Sequence, residues 1–137
     1  MIKAPKLYFV DVGLAAFLLE IQDGIHLKNH PLRGALFETF VVTEILKKRF
    51  NNVQTNNMYY FRDNSGKEVD LLMDMGSEVI PIEIKSGQIV PNEFFKGLDY
   101  YRTLNPTVKQ SWVIYGGDKF YQEDGHNICP YDKIDKI

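Results

Sequence analysis

Apolar residues recur along this 137-residue chain with two different periods, and the switches between them mark its elements. Between residues 35 and 50 they fall at Phe37, Val41 and Ile45, at Leu36 and Phe40, and at Val42, Leu46 and Phe50. Spacings of three and four predict a helix, here apolar over most of its circumference and therefore central and largely buried. Lys47, Lys48 and Arg49 complement the dipole at its C-terminal end. The period then shortens to two, predicting strands over 57–63, 67–75 and 78–85. Asn64-Ser65-Gly66 and Gly76-Ser77 join them with the chemistry of hairpin turns.

Pro91-Asn92 opens a second helix reaching about residue 103, with Phe94, Phe95, Leu98 and Tyr101 inward. A strand over 110–115 closes at Gly116-Gly117-Asp118, and a last, weak hairpin runs through Phe120-Tyr121 and Asn127-Ile128-Cys129. Ahead of all this, Leu7-Tyr8-Phe9-Val10 reads as a short strand and Asp11 as the cap of a helix over about 12–20. A loop rich in Asn, His, Gly and Pro follows to about Arg33. The pattern predicts an α/β fold: a helix, a three-stranded meander, a helix and a strand, forming a mixed sheet flanked by helices. Residues 1–33 form an N-terminal strand and helix extension to a domain over 34–137, one compact unit overall. Such an extension suggests a fragment of something longer.

Composition narrows the classes. The longest apolar run, around Leu14 to Leu19, falls short of the ~20 residues that cross a bilayer, and no leader pattern is present, so the expectation is a soluble, cytoplasmic protein without a membrane partner. A single cysteine, Cys129, excludes an internal disulfide and reads as a small buried side chain. His26, His30 and His126 have no mutual spacing, read as loop residues meeting solvent, and leave oxygen as the ligand for any metal. With 16 basic and 18 acidic residues the net charge is −2, so nucleic-acid binding would need a local patch.

The chemistry concentrates in one hairpin. A two-residue turn at Gly76-Ser77 sets Asp70 opposite Glu83 and Glu68 opposite Lys85, and alternation puts all four on the face away from Ile80, Ile82 and Ile84. Two opposed carboxylates ~5 Å apart repel. A hard divalent cation, Mg²⁺ or Mn²⁺, between them removes the objection and brings waters that become nucleophiles. Lys85 could orient or deprotonate such a water, or balance charge on a phosphate. Glu38 shares a helix face with Val41, Val42 and Ile45 and adds a third inward acid, whereas Glu44 reads as a solvated partner of Lys47 and Lys48. The plain alternative is an exposed sheet face with Glu68–Lys85 and Asp70–Lys85 pairs, and a Glu38 that simply bonds an amide or a basic group.

Arg33-Gly34-Ala35-Leu36-Phe37-Glu38-Thr39-Phe40-Val41, Tyr60-Phe61-Arg62-Asp63, Glu68-Val69-Asp70 and Ile82-Glu83-Ile84-Lys85-Ser86-Gly87 together resemble the DUF4143 domain. The likeness takes in Lys6-Leu7-Tyr8-Phe9-Val10-Asp11-Val12-Gly13-Leu14 and so covers nearly the whole chain. That domain usually ends AAA-type ATP-binding proteins and is similar to the restriction-endonuclease-like, or PD-(D/E)XK, superfamily. The resemblance implies a restriction-endonuclease-like core, a motif acid at Asp70, a second acid and lysine at Glu83 and Lys85, and the acid of the first helix at Glu38. In the wider superfamily these correspond to metal ligands and a catalytic lysine, with the helix Glu an additional ligand or orienting group. Val69 stands where the loose motif has Pro. No Gly-x-x-x-x-Gly-Lys-Ser/Thr occurs, so ATPase activity is assigned to an upstream domain of the full-length chain.

Two functions follow as expectations. One is metal-dependent hydrolysis of nucleic acid, DNA foremost, with Asp70, Glu83 and Glu38, and the Ile84 carbonyl, around the cation and Lys85 assisting. Arg62, Arg102, Lys96 and Lys109 would hold substrate, with Tyr100 or Tyr101 either stacking on a base or filling the core. The other is an inactive DNA- or protein-binding regulatory module of the ATPase, or a homodimerisation domain using Phe94-Phe95 and Phe120-Tyr121.

Overall fold

A computed structural model describes residues 5–137. Its centre is a six-stranded mixed sheet flanked by helices, in the order β1-β2-β3-β4-β6-β5. The strands are β1 (Met58–Arg62), β2 (Glu68–Asp74), β3 (Val79–Lys85), β4 (Trp112–Tyr115), β5 (Tyr121–Glu123) and β6 (His126–Pro130). The helices are α1 (Val12–Leu18), α2 (Gly24–Asn29), α3 (Arg33–Asn51) and α4 (Lys96–Leu104).

β1, β2 and β3 form an antiparallel meander, and β3, β4 and β6 run parallel. A parallel neighbour requires a crossover, which α4 supplies between β3 and β4. Because β2, β3 and β4 are covered on both faces, they are apolar on both sides, and the sheet separates two cores. Under α3, Val41, Val42 and Ile45 meet Leu71, Met73, Ile82 and Ile114. Under α4, Phe95 and Leu98 meet Val69, Leu72, Val113 and Ile128.

The order α3-β1-β2-β3-α4-β4 and the closing β5–β6 hairpin follow the sequence pattern, and Asp11 caps α1 through the Leu14 amide at 3.1 Å. Several local expectations are corrected. Residues 7–10 form no strand, because no neighbouring strand offers them a ladder. The loop before Arg33 holds α2, capped by the Asp23 carboxylate on the His26 amide at 2.7 Å. α3 is largely buried as expected, with Leu36, Val41, Val42, Thr43 and Ile45 enclosed and every position from 36 to 46 at least half-buried, but Phe50 at its end is exposed. The helix after Pro91 begins as a 3₁₀ turn, Asn92–Phe95, and residues 131–136 add a final 3₁₀ segment that the sequence pattern did not suggest.

The largest correction is His126, which is fully buried rather than solvated. Its ring stacks on Phe95 at 4.6 Å, its Nδ1 is 2.7 Å from the buried Ser111 hydroxyl, and its Nε2 lies 3.2 Å from Asp99 on α4. Burial holds its pKa below the usual imidazole value, with Arg102 acting in the same direction and Asp99 opposing. With Ser111 and His126 both sealed from solvent, this Ser-His-Asp grouping ties α4 to the sheet and cannot meet a substrate. Cys129 is buried as expected, and burial pushes its thiol up to about 11.

Candidate functional site

β2 and β3 join through Met75-Gly76-Ser77-Glu78, where the Met75 amide donates to the Glu78 carbonyl at 2.9 Å. Gly76 has φ +80, the positive value that the first central position of a II′ turn requires. The turn sets the expected register, with Asp74 opposite Val79, Met73 opposite Ile80, Leu72 opposite Pro81 and Leu71 opposite Ile82.

Beyond Leu71 the regular ladder ends. On the other flank β1 pairs Tyr59 with Leu72 but Phe61 with Val69, so β2 carries one extra residue there, a bulge at Asp70-Leu71. Continued pairing would give the Ile84 amide to a backbone carbonyl of β2. The Asp70 Oδ2 accepts it instead, at 2.9 Å, which fixes a carboxylate that is 4% exposed. The bulge thus converts an ordinary strand position into one whose side chain replaces a ladder bond.

Lys85 joins the two motif acids. Its Nζ is 2.6 Å from Glu83 Oε1 and 3.4 Å from Asp70 Oδ2. Burial would lower the Lys85 pKa, but the charges of Asp70 and Glu83 outweigh it and the net shift is upward. Burial, reinforced by the Asp70 charge and only partly offset by Lys85, raises the Glu83 carboxyl to about 7. Glu83 Oε2 is buried and has no hydrogen-bond partner. It lies close to Gly97 of α4, and Glu83 borders a shallow groove lined also by Lys67, Glu68, Lys96 and Tyr100.

Glu38 is not directed at this pair. Its Oε1 accepts from the Tyr8 hydroxyl at 2.6 Å and from the Lys6 ammonium at 3.0 Å. Lys6 also lies 3.4 Å from Glu68 Oε1 and 3.5 Å from Asp70 Oδ1, so one ammonium sits among three carboxylates. Glu68, expected opposite Lys85, turns to Lys6 and Arg62 because the bulge breaks the register before it. Asp70 lines a larger groove bordered by Lys6, Tyr8, Tyr59 and Arg62.

The structure therefore brings Asp70 and Glu83 together through Lys85, and attaches Glu38 to Asp70 through Lys6. Among the described residues, no three acidic, His or Cys side chains converge closely enough to hold a metal by themselves. Of the basic residues considered for substrate, Lys96 and Arg62 border the grooves, whereas Arg102 donates to the Gly125 carbonyl at 2.9 Å. Tyr101 packs edge-on against Phe61 at 5.1 Å, and Lys67 lies over the Tyr100 ring at 4.0 Å. Lys6 and Tyr8 are the site residues that sequence reasoning missed. Their signal was present, since in an extended Lys6-Leu7-Tyr8-Phe9 the two polar-tipped side chains share one side.

The profile of a family described as "Domain of unknown function (DUF4143)" matches residues 33–134. Two uncharacterised proteins, one from Mycobacterium bovis and one from Mycobacterium tuberculosis, are each 32% identical to the chain over 83 residues. The aligned part is 61% of this chain and 18% of each relative, so the chain corresponds to less than a fifth of their length.

Proposed function

Because the chain belongs to the DUF4143 family, whose description leaves the activity open, we propose from the site itself that it is a divalent-metal-dependent phosphodiesterase acting on nucleic acid. The observation that carries this reading is Glu83 Oε2, a buried carboxylate oxygen with nothing to bond, beside a second buried carboxylate. A buried carboxylate oxygen without a partner is costly even where Lys85 pairs its sister oxygen, and a hard cation is a partner that removes the cost. Mg²⁺ is commonly held by one or two carboxylates and keeps its waters, so Asp70 and Glu83, with the Ile84 carbonyl, are a sufficient donor set without a third acid. The cation would supply an activated water and charge at the scissile phosphate.

This chain's residues do the rest. Asp70 is held in place by the Ile84 amide on Oδ2, so its orientation is set before any ligand arrives. Lys85, kept protonated by the two acids, offers a positive charge to a developing phosphate dianion or orients the attacking water. Lys96 and Arg62 border the two grooves that reach Glu83 and Asp70 and would neutralise the phosphates of a bound strand. In this reading the helix, meander, helix and strand form a restriction-endonuclease-like core, attached to an upstream AAA-type domain. A second reading, an inactive regulatory module, draws support from the Lys6 ammonium among Glu38, Glu68 and Asp70, which already offsets part of their charge.

The test is incubation of the purified chain with Mg²⁺ or Mn²⁺ and single-stranded, duplex or branched DNA. Cleavage is expected, falling by about 100-fold or more in both Asp70→Asn and Lys85→Ala. Absence of cleavage on every substrate, or cleavage that persists unchanged in both variants, overturns the nuclease reading.

A further inference from the structure

Residues 5–10 line the Asp70 groove through Pro5, Lys6, Tyr8 and Val10 without joining the sheet. Among the described residues, no backbone–backbone hydrogen bond ties them to the rest of the molecule. Leu7 is 90%, Phe9 52% and Val10 67% exposed, so the outward half of the segment makes little contact. The inward half is Lys6 and Tyr8, the residues that grip Glu38. A segment held mainly by side chains opens more easily than a strand held by a ladder.

The position of Lys6 gives this consequence. Asp70 Oδ2 is committed to the Ile84 amide and Lys85, and the oxygen left for a ligand, Oδ1, faces the Lys6 ammonium at 3.5 Å. A divalent cation on that oxygen would share it with a like charge only a few ångströms away, and the two repel strongly in a half-buried site. We propose that residues 5–10 form an autoinhibitory strap whose Lys6 ammonium stands in for the divalent cation at Asp70, so that strap docking and cation binding exclude each other. The proposal rests on the reading of Asp70 and Glu83 as cation ligands. Lys6 is the displaceable charge because it reaches the site from an exposed, irregular segment, whereas Lys85 stands on β3.

Calorimetric titration of Mn²⁺ into the unaltered chain, Lys6→Met and Lys6→Ala tests this, with circular dichroism to confirm that the variants are folded. Both variants should bind Mn²⁺ about tenfold more tightly, and Asp70→Asn should not bind it. A second measurement needs no strap variant: trypsin cleavage after Lys6, followed by mass spectrometry, should accelerate several-fold when Mn²⁺ frees that side chain, and should not respond in Asp70→Asn. Equal Mn²⁺ affinity with and without Lys6, or cleavage indifferent to Mn²⁺ while Asp70-dependent binding persists, overturns the strap and leaves the cation reading standing. No Mn²⁺ binding in any of the proteins overturns both.

Discussion

Gly97 governs how close α4 comes to the site. A Cβ placed there would collide with the Glu68 backbone carbonyl and would come within 3.9 Å of Glu83 Oε2. The obstacle is backbone, which cannot turn aside as a flexible side chain does, so Gly97→Ala should lift α4 and destabilise the fold by ~1–3 kcal/mol, read as a lower urea midpoint. Asp70 has a comparable structural share: without its carboxylate the buried Ile84 amide loses its acceptor, at a cost of ~1–3 kcal/mol. Asp70→Asn retains an acceptor oxygen, and for that reason it separates chemistry from folding better than Asp70→Ala does.

At the scale of elements, α4 is tied to the sheet by His126, between Ser111 and Asp99 and against Phe95. The pKa of His126 is lower in the folded protein than its ordinary 6.5, so folding favours the neutral ring. Its contribution is present in full above the unfolded value and is lost as pH falls through the folded one. The urea midpoint should therefore drop as pH is lowered below about 6.5, with a smaller drop in His126→Gln, measured by denaturation across pH. The element pattern was largely legible because hairpin turns and helix faces are written locally: Gly76-Ser77 alone predicts the pairing of Leu71 with Ile82. The bulge was not legible. It arises from fitting β2 between two neighbours, and its effect, sending Glu68 to Lys6 instead of Lys85, depends on both. The same holds for His126, whose polar type suggests a loop while its place on β6 beneath Phe95 seals it.

At the scale of the whole molecule, no described helix is long and apolar enough to cross a membrane, and a net charge of −2 means that any affinity for nucleic acid would have to come from local groups. The apolar stripe of β3 under α3 and that of β4 under α4 were readable as periodicity, but nothing local said that residues 5–10 would return to α3 across more than twenty intervening residues.

That separation orders the assembly of the charged centre in time. Asp70, Glu83 and Lys85 lie within one tight hairpin, whose closure costs little chain entropy and takes microseconds, whereas Lys6 must find Glu68 and Asp70 from 62 or more positions away. Asp70 and Glu83 are thus expected to gather around Lys85 before Lys6 arrives, which makes Lys6 a late contact that holds the native state without speeding its formation. Stopped-flow kinetics of Lys6→Ala should show an unchanged refolding rate and faster unfolding, for a loss of about 1 kcal/mol. If Asp70 binds a divalent cation as proposed, a protein completing its fold in its presence would meet a choice at its last step, with ion and strap reaching the same carboxylate by competing routes.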